Sequence, residues 1–227
     1  MEFPKSYGAG RSDDEKEALK KAVEELAAQN KMQDLEKGLL EWHIEEQEKE
    51  HEKKEEEHGI DHLTGVYTRK FFNAKLEHEF KLLNQENERR KNAKAPTEIV
   101  LVFIDLDHFK EVNDTFGHAR GDDVLREAAR RLQHALREED TLARYGGDEF
   151  VALLPNTGTA SGATVAEKLR AALDEDPVLK ENGITGSFGV ASSAEAASVQ
   201  DLIEHADRAV YAAKAGGRNR VEMYQGA

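Results

Sequence analysis

Thr141-Leu142-Ala143-Arg144-Tyr145-Gly146-Gly147-Asp148-Glu149-Phe150-Val151-Ala152-Leu153-Leu154 sets two glycines and two carboxylates between apolar runs. The flanks, 141–145 and 150–154, read as strands, so Gly-Gly-Asp is expected at a hairpin tip. Glycines there remove side chains where a ligand's phosphates could approach the backbone. Two adjacent acids repel each other unless a cation sits between them. Taken alone the stretch is also compatible with an ordinary solvated hairpin. Mg²⁺ with a polyphosphate is the reading that uses all four residues.

The upstream sequence favours that second reading. Glu98-Ile99-Val100-Leu101-Val102-Phe103-Ile104 is continuously apolar after its first residue, as expected for a strand covered on both faces. It runs into Asp105-Leu106-Asp107-His108-Phe109-Lys110. A carboxylate at the end of a buried strand that opens into a helix suits a metal, and the N–H groups of the helix start suit an anion. Mg²⁺ takes few carboxylates and fills its remaining positions with water and phosphate oxygens. Asp105 with Asp148 and Glu149 meets that preference.

The composition limits the alternatives. The chain has 227 residues, enough for one ordinary domain and an appendage. A net charge of −14 argues against a polyanion-binding surface, so no nucleic-acid partner is expected and any phosphate contact should be local. There is no cysteine, which excludes disulfides and thiol chemistry. No apolar stretch approaches the roughly 20 residues needed to span a bilayer, and no signal peptide is visible. A cytoplasmic protein is the expectation.

Three segments differ in character. Residues 1–11, with Pro4, Gly8 and Gly10, read as disordered or as an artificial extension. Residues 12–58 read as a long helix opened by the capping box Ser12-Asp13-Asp14-Glu15. Leu19, Val23, Leu26 and Asn30 follow the a and d spacing of a coiled coil. Met32, Leu35, Leu39 and Trp42 form a second seam in a different phase, which offers two registers or a stutter. A parallel dimeric coiled coil is preferred over a solvated single helix, whose narrow apolar stripe would be marginal alone.

Residues 59–227 read as a globular domain. Helices are expected near 68–90, with Phe71, Phe72, Leu76, Phe80 and Leu83 facing inward, and near 108–116, 120–138, 158–174 and 199–215. A polar loop is expected over 92–97. Strands are expected at 99–105, in the hairpin 141–154, at 184–191 and around 219–224. The order is α/β with an antiparallel hairpin.

From Asp61 to about Val221 the chain resembles the GGDEF-domain diguanylate cyclases. The similarity is carried by Asp61-His62-Leu63-Thr64-Gly65, the Asp105 to Lys110 stretch, Asn113-Asp114-Thr115-Phe116-Gly117-His118 with Gly121-Asp122, and Arg144 to Phe150. It continues through Ser187-Phe188-Gly189-Val190 and Ala206-Asp207-Arg208-Ala209-Val210-Tyr211-Ala212-Ala213-Lys214 with Gly217-Arg218. The resemblance implies a ferredoxin-like, nucleotidyl-cyclase palm. It implies that two GTP molecules become cyclic di-GMP and two pyrophosphates in a homodimer, with two Mg²⁺ per active site and Mn²⁺ as a substitute.

It also implies residue roles. Asp105, the carbonyl of Leu106, Asp148 and Glu149 would hold metal, with Asp148 and Glu149 as catalytic groups. Asn113 and Asp122 would read guanine, with His118 beside them. Phe109, Lys110, Lys214 and Arg218 would contact phosphates. Five of these have a plainer alternative: Asn113 as a helix-surface amide, Asp122 as an N-cap, His118 as a structural hydrogen-bonding residue, and Lys214 and Arg218 as cations favoured by a helix C-terminus. Arg137-Glu138-Glu139-Asp140 ends five residues short of Gly146, where the family carries an RxxD site at which product inhibits. A basic partner for that site is either Lys168 or Arg170. In the family, long helices such as 12–58 often connect a sensor to the catalytic domain, and residues 1–11 are too short to be one. A domain that binds GTP or cyclic di-GMP without turnover is the rival, and the retained Asp105, Asp148 and Glu149 count against it.

Overall fold

Val100-Leu101-Val102-Phe103-Ile104-Asp105-Leu106-Asp107 form β2, a strand buried along its whole length. Successive side chains of a strand point to opposite faces. Val100, Val102, Ile104 and Leu106 therefore enter one apolar cluster, and Leu101 and Phe103 the other. A strand apolar on both faces must lie between two helical layers, and β2 does. It pairs antiparallel with β4 (Glu149–Leu154) on one side and β5 (Thr185–Ser192) on the other.

The computed structural model describes residues 59–89 and 98–226, together with Lys21 and Lys37 as isolated helical positions. Apart from those two lysines, the segments expected at 1–11 and 12–58 lie outside the described residues, as does the polar loop expected at 92–97. Among the described residues no helix is long and apolar enough to cross a membrane.

The six-stranded sheet has the order β1-β3-β4-β2-β5-β6. Its four central strands, including β3 (Thr141–Gly146), form the antiparallel β-α-β-β-α-β arrangement of a ferredoxin-like palm. The edges are short and parallel: β1 (Tyr67–Thr68) on β3, and β6 (Arg220–Met223) on β5. On one face lie α1 (Arg69–Arg89) and α6 (Val199–Ala215); on the other lie α3 (His118–Ala135) and α4 (Thr159–Asp174). α2 (Phe109–Phe116) and α5 (Pro177–Glu181) add Val112 and Leu179 to the second layer.

Several expected boundaries shift, each for a local reason. β2 continues two residues past Asp105, because Asp107 is held by donors from β5. Thr68 belongs to β1 rather than to the helix. Phe71 is not an inner-face residue of α1. Phe72, Leu76, Phe80 and Leu83 take that face at helical spacing, while Phe71 is exposed and stacks on Tyr67 at 4.1 Å between ring centroids. α3 starts at His118, directly after Gly117, whose φ of +83° closes α2. Asp122 is consequently inside the helix, which removes the N-cap alternative. α5 was not foreseen, although Asp176 caps it through Val178 and Leu179 N–H groups and Pro177 occupies its first position.

Candidate active site

The hairpin tip is built by a bulge and a clamp. Gly146 pairs with Glu149, so only Gly147 and Asp148 form the turn, and Gly147 has a φ of +46° that favours glycine. Glu149 is thus the first residue of β4 rather than part of the tip. The Arg144 guanidinium donates twice to the Gly147 carbonyl, at 2.9 and 2.8 Å, and reaches Asp61 at 3.4 Å. Tyr145 lies edge-on to Phe103 and Phe72, with the Arg69 guanidinium 4.2 Å from its ring centre. The tip is therefore anchored from its root to the core.

The two strands bring the acids together. Asp105 and Glu149 are direct cross-strand partners, and the Leu106 N–H donates to the Asp148 carbonyl at 3.2 Å. Opposite carboxylates on neighbouring strands destabilise each other unless compensated. Lys214 compensates here, donating from Nζ to Asp105 Oδ2 at 2.6 Å. Burial holds the Asp105 carboxyl above its ordinary range; the Lys214 hydrogen bond and charge oppose this, and the charges of Asp148 and Asp107 add to it. Burial likewise raises Glu149, followed by the charges of Asp105 and Asp148, with Lys214 opposing and Asp207 adding.

This donor set fits a hard divalent cation. Its groups are oxygens, and the two acids are raised by the burial and mutual repulsion that a cation relieves. Among the described residues no three His, Cys, Asp or Glu side chains already converge on one point. An ion at this place would complete its shell with water and phosphate oxygens, as Mg²⁺ prefers.

A second group of residues meets between α2 and α3. A Cβ built on Gly121 would lie 2.0 Å from Asn113 Oδ1 and 3.2 Å from Phe109 Cζ. Asn113, Phe109 and the first turn of α3 are thus in contact only because residue 121 has no side chain. Asp122 follows on the same turn and is half-buried, whereas His118 and Lys110 are exposed near the starts of their helices. Arg218 follows α6 in a left-handed conformation, with φ +62°.

The Arg137–Asp140 pair is elsewhere. Asp140 immediately precedes β3 and the tip follows it, so the six residues of β3 separate them by about 20 Å. The Arg137 N–H donates to Asp140 Oδ2 at 3.0 Å, and the Arg137 side chain lies exposed. Burial raises the Asp140 carboxyl, against the Arg137 N–H and charge and the Lys168 charge. Lys168, which donates to the Ala135 carbonyl at 2.7 Å, is the basic residue at this place. Arg170 points instead to Glu167 and Asn219.

Three contributors were not singled out from sequence. Asp107 looks like a second metal ligand in an Asp-x-Asp pattern, but is consumed by internal donors. Arg144 acts through a backbone carbonyl, which no side-chain pattern signals. Asp207, two helical turns before Lys214 on the same face of α6, adds a negative charge that raises the Glu149 carboxyl; its i, i+7 spacing from Lys214 was the available signal.

A family model described as diguanylate cyclase, GGDEF domain, matches residues 58–220. Diguanylate cyclase A of Treponema denticola is 38% identical over 157 residues, covering 67% of this chain and 40% of that protein. The response regulator PleD of Caulobacter vibrioides is 39% identical over 167 residues, covering 71% of this chain and 35% of that protein. The chain thus spans less than half the length of these curated relatives. The crystal structure of the GGDEF domain of DgcB from Caulobacter crescentus, in complex with c-di-GMP, is 34% identical with a TM-score of 0.64; the match covers 74% of this chain and 97% of that one. The structure comprising the coiled coil and GGDEF domain of DgcB is 29% identical with a TM-score of 0.65, and covers 91% of this chain and 99% of that one.

Proposed function

The chain belongs to the GGDEF-domain diguanylate cyclase family, and from that membership we propose that it condenses two GTP molecules into cyclic di-GMP and two pyrophosphates. The observation that carries the reading is the cross-strand pair Asp105 and Glu149 beside the Gly147-Asp148 tip, with Lys214 2.6 Å from Asp105. The 3′-hydroxyl of each GTP attacks the α-phosphate of the other. At each centre a new P–O bond forms as the bond to pyrophosphate breaks in line, and the hydroxyl proton is lost to a base.

Catalysis of such a displacement is mostly positioning and charge stabilisation. Asp105, the Leu106 carbonyl, Asp148 and Glu149 hold divalent metal, two Mg²⁺ per site with Mn²⁺ as a substitute. When bound, the metal supplies charge neutralisation and a lowered hydroxyl pKa. Asp148 and Glu149 are the acids available to accept the hydroxyl proton. Lys110, Lys214 and Arg218, with the main chain at Phe109, bind the phosphates. Asn113 offers guanine both a donor and an acceptor, Asp122 accepts from its N1–H and N2–H₂, and His118 flanks them.

One site holds one GTP, so two domains must face each other across a two-fold axis. The segment 12–58 supplies that pairing as a coiled coil, raising the effective concentration of the second domain. Product binds at Arg137 and Asp140, with Lys168 as the basic complement, and slows the enzyme. GTP as substrate fits a cytoplasmic protein.

The test is incubation of the purified chain with GTP and Mg²⁺, with and without ATP, followed by chromatography and mass analysis. Cyclic di-GMP and pyrophosphate, with ATP ignored, are expected. A folded dimer that yields no dinucleotide overturns the proposal in favour of a nucleotide receptor.

A further inference from the structure

Asp107 follows Asp105 by two residues on the same strand and carries the same carboxylate, yet its oxygens are committed inside the protein. Thr185 Oγ1 donates to Oδ2 at 2.7 Å, Ser187 Oγ to Oδ1 at 2.7 Å, and the Asn219 backbone N–H to Oδ2 at 3.1 Å. Arg218 Nε lies 3.9 Å from Oδ1, and the Asp107 side chain is wholly shielded from solvent. A buried carboxylate is tolerated when this many donors face it.

The segment it grips is conformationally unusual. Gly217, Arg218 and Asn219 have φ values of +113°, +62° and +46° in succession. Two consecutive non-glycine residues in the left-handed region persist only where the surroundings over-determine them. Those surroundings are Asp107 at the Asn219 N–H, Asp174 accepting from Asn219 Nδ2 at 3.1 Å, and Arg170 donating to Asn219 Oδ1 at 2.9 Å. β6 starts at the next residue, with Arg220 paired to Ser187. The turn therefore hangs from the end of β2, and Arg218 hangs from the turn.

We propose that Asp107 is a positioning residue for the nucleotide phosphates, acting through the 217–219 turn to aim Arg218, rather than a metal ligand. The proposal rests on the assignment of Arg218 to the phosphates made under Proposed function. Its specific content is that the two acids of the Asp-x-Asp pattern have different roles: Asp105 serves the cation and Asp107 serves the turn.

Asp107→Asn keeps the shape, and the hydroxyl that meets the amide NH2, Ser187 when the amide oxygen takes the Oδ2 place, can reverse direction. What is lost is the charge facing Arg218, and with it the charge-assisted character of the acceptor that holds the turn. KM for GTP should rise about tenfold while kcat stays within about twofold. Arg218→Ala should do the same, and the double variant should be no worse than either single one, because both act through one contact. Additive losses, or an unchanged KM, overturn the proposal. Stabilisation of the nucleotide-free protein by Mg²⁺ alone, read as a thermal shift, should survive Asp107→Asn and be lost in Asp105→Asn. Its loss in Asp107→Asn makes Asp107 a metal ligand and overturns the proposal.

Amide hydrogen exchange reads the clamp with no nucleotide present. The Asn219 N–H should exchange faster in Asp107→Asn while the β2–β4 ladder is unchanged; equal protection at Asn219 overturns the clamp. If that variant does not fold, Thr185→Val removes one donor, keeps the charge, and should move KM and Asn219 exchange the same way by less. A native chain that turns over no GTP refutes the function beneath the proposal, and exchange at Asn219 still decides the clamp.

Discussion

Lys214, in the last turn of α6, donates to Asp105 in the central strand at 2.6 Å, a contact between residues 109 positions apart. The ammonium neutralises the acid that a divalent ion is expected to use, so cation and metal compete for one oxygen. Lys214→Met should tighten binding of Mg²⁺ alone to the nucleotide-free protein by roughly threefold, the scale of a partly exposed ion pair. The same change should raise KM for GTP by about tenfold, since a charge-assisted contact to phosphate is lost. Calorimetry with Mg²⁺ and steady-state kinetics separate the two effects; weaker Mg²⁺ binding would contradict the competition.

Glu149 is raised by burial and by the neighbouring acids. It therefore binds its proton more tightly in the folded than in the unfolded chain. Such a group costs stability above its folded pKa, and the cost fades as pH falls through the folded value toward the ordinary one near 4. Glu149→Gln should raise the melting temperature of the metal-free protein at pH 7 by about 2–4 °C, the shift that about 1 kcal/mol produces in a domain of this size. The gain should shrink toward pH 4, and turnover should be lost. A pH-independent gain would point to packing rather than charge.

Gly121 is required by contact, since its Cβ would sit 2.0 Å from Asn113 Oδ1. Gly121→Ala should displace the Asn113 amide, raise KM for GTP and narrow the preference for GTP over ATP, each by about tenfold if one good base contact is lost. The helix itself gains about 1 kcal/mol from the exchange of Gly for Ala. Selectivity measured by competition is thus the informative readout, and full discrimination in a folded variant would remove Asn113 from base recognition.

Arg144 holds the hairpin tip by two bonds to one carbonyl. Lysine keeps the charge but has no planar fork. Arg144→Lys should lower kcat about tenfold by loosening Asp148 and Glu149, with KM nearly unchanged. A proportionate loss in both parameters would indicate that the nucleotide, rather than the tip, depends on Arg144.

The two ends of the inhibitory pair should separate experimentally. Arg137 is exposed, whereas Asp140 is buried and accepts from the Arg137 N–H. Arg137→Ala should abolish inhibition by cyclic di-GMP without moving the melting temperature. Asp140→Ala should abolish inhibition and also cost about 1 kcal/mol through the lost turn bond. Unchanged product sensitivity in Arg137→Ala would sink the assignment.

Much of this architecture was legible locally. The run into Asp105, the Gly146-Gly147 tip and the 3.6-residue pattern of α6 each announce an element within a dozen residues. The misses are of two kinds. Phe71 and Phe72 are adjacent; the i, i+4, i+8 spacing of Phe72, Leu76 and Phe80 selects Phe72 for the inner face, and the place left to Phe71, stacked on Tyr67 of β1, is what local sequence does not announce. A two-residue parallel strand has no periodicity to detect. The second kind is non-local: Asp107 meets Thr185, Ser187 and Asn219 across 78, 80 and 112 positions. Nothing in the spacing of Asp105 and Asp107 foretells that β5 will saturate one acid and leave the other to Lys214.

The segment before α1 has a mechanical consequence. Asp61 receives the Thr64 N–H and the Arg144 guanidinium, its own N–H donates to the Val66 carbonyl, and Thr68 pairs with Arg144 through β1. Arg144 in turn grips Gly147. A tug or torque on the backbone at Gly59 thus has a continuous, directional route to the hairpin tip, through the β1–β3 pairing and the Asp61–Arg144 contact. The stretch from Gly59 to Thr68 is a linkage rod rather than a tether.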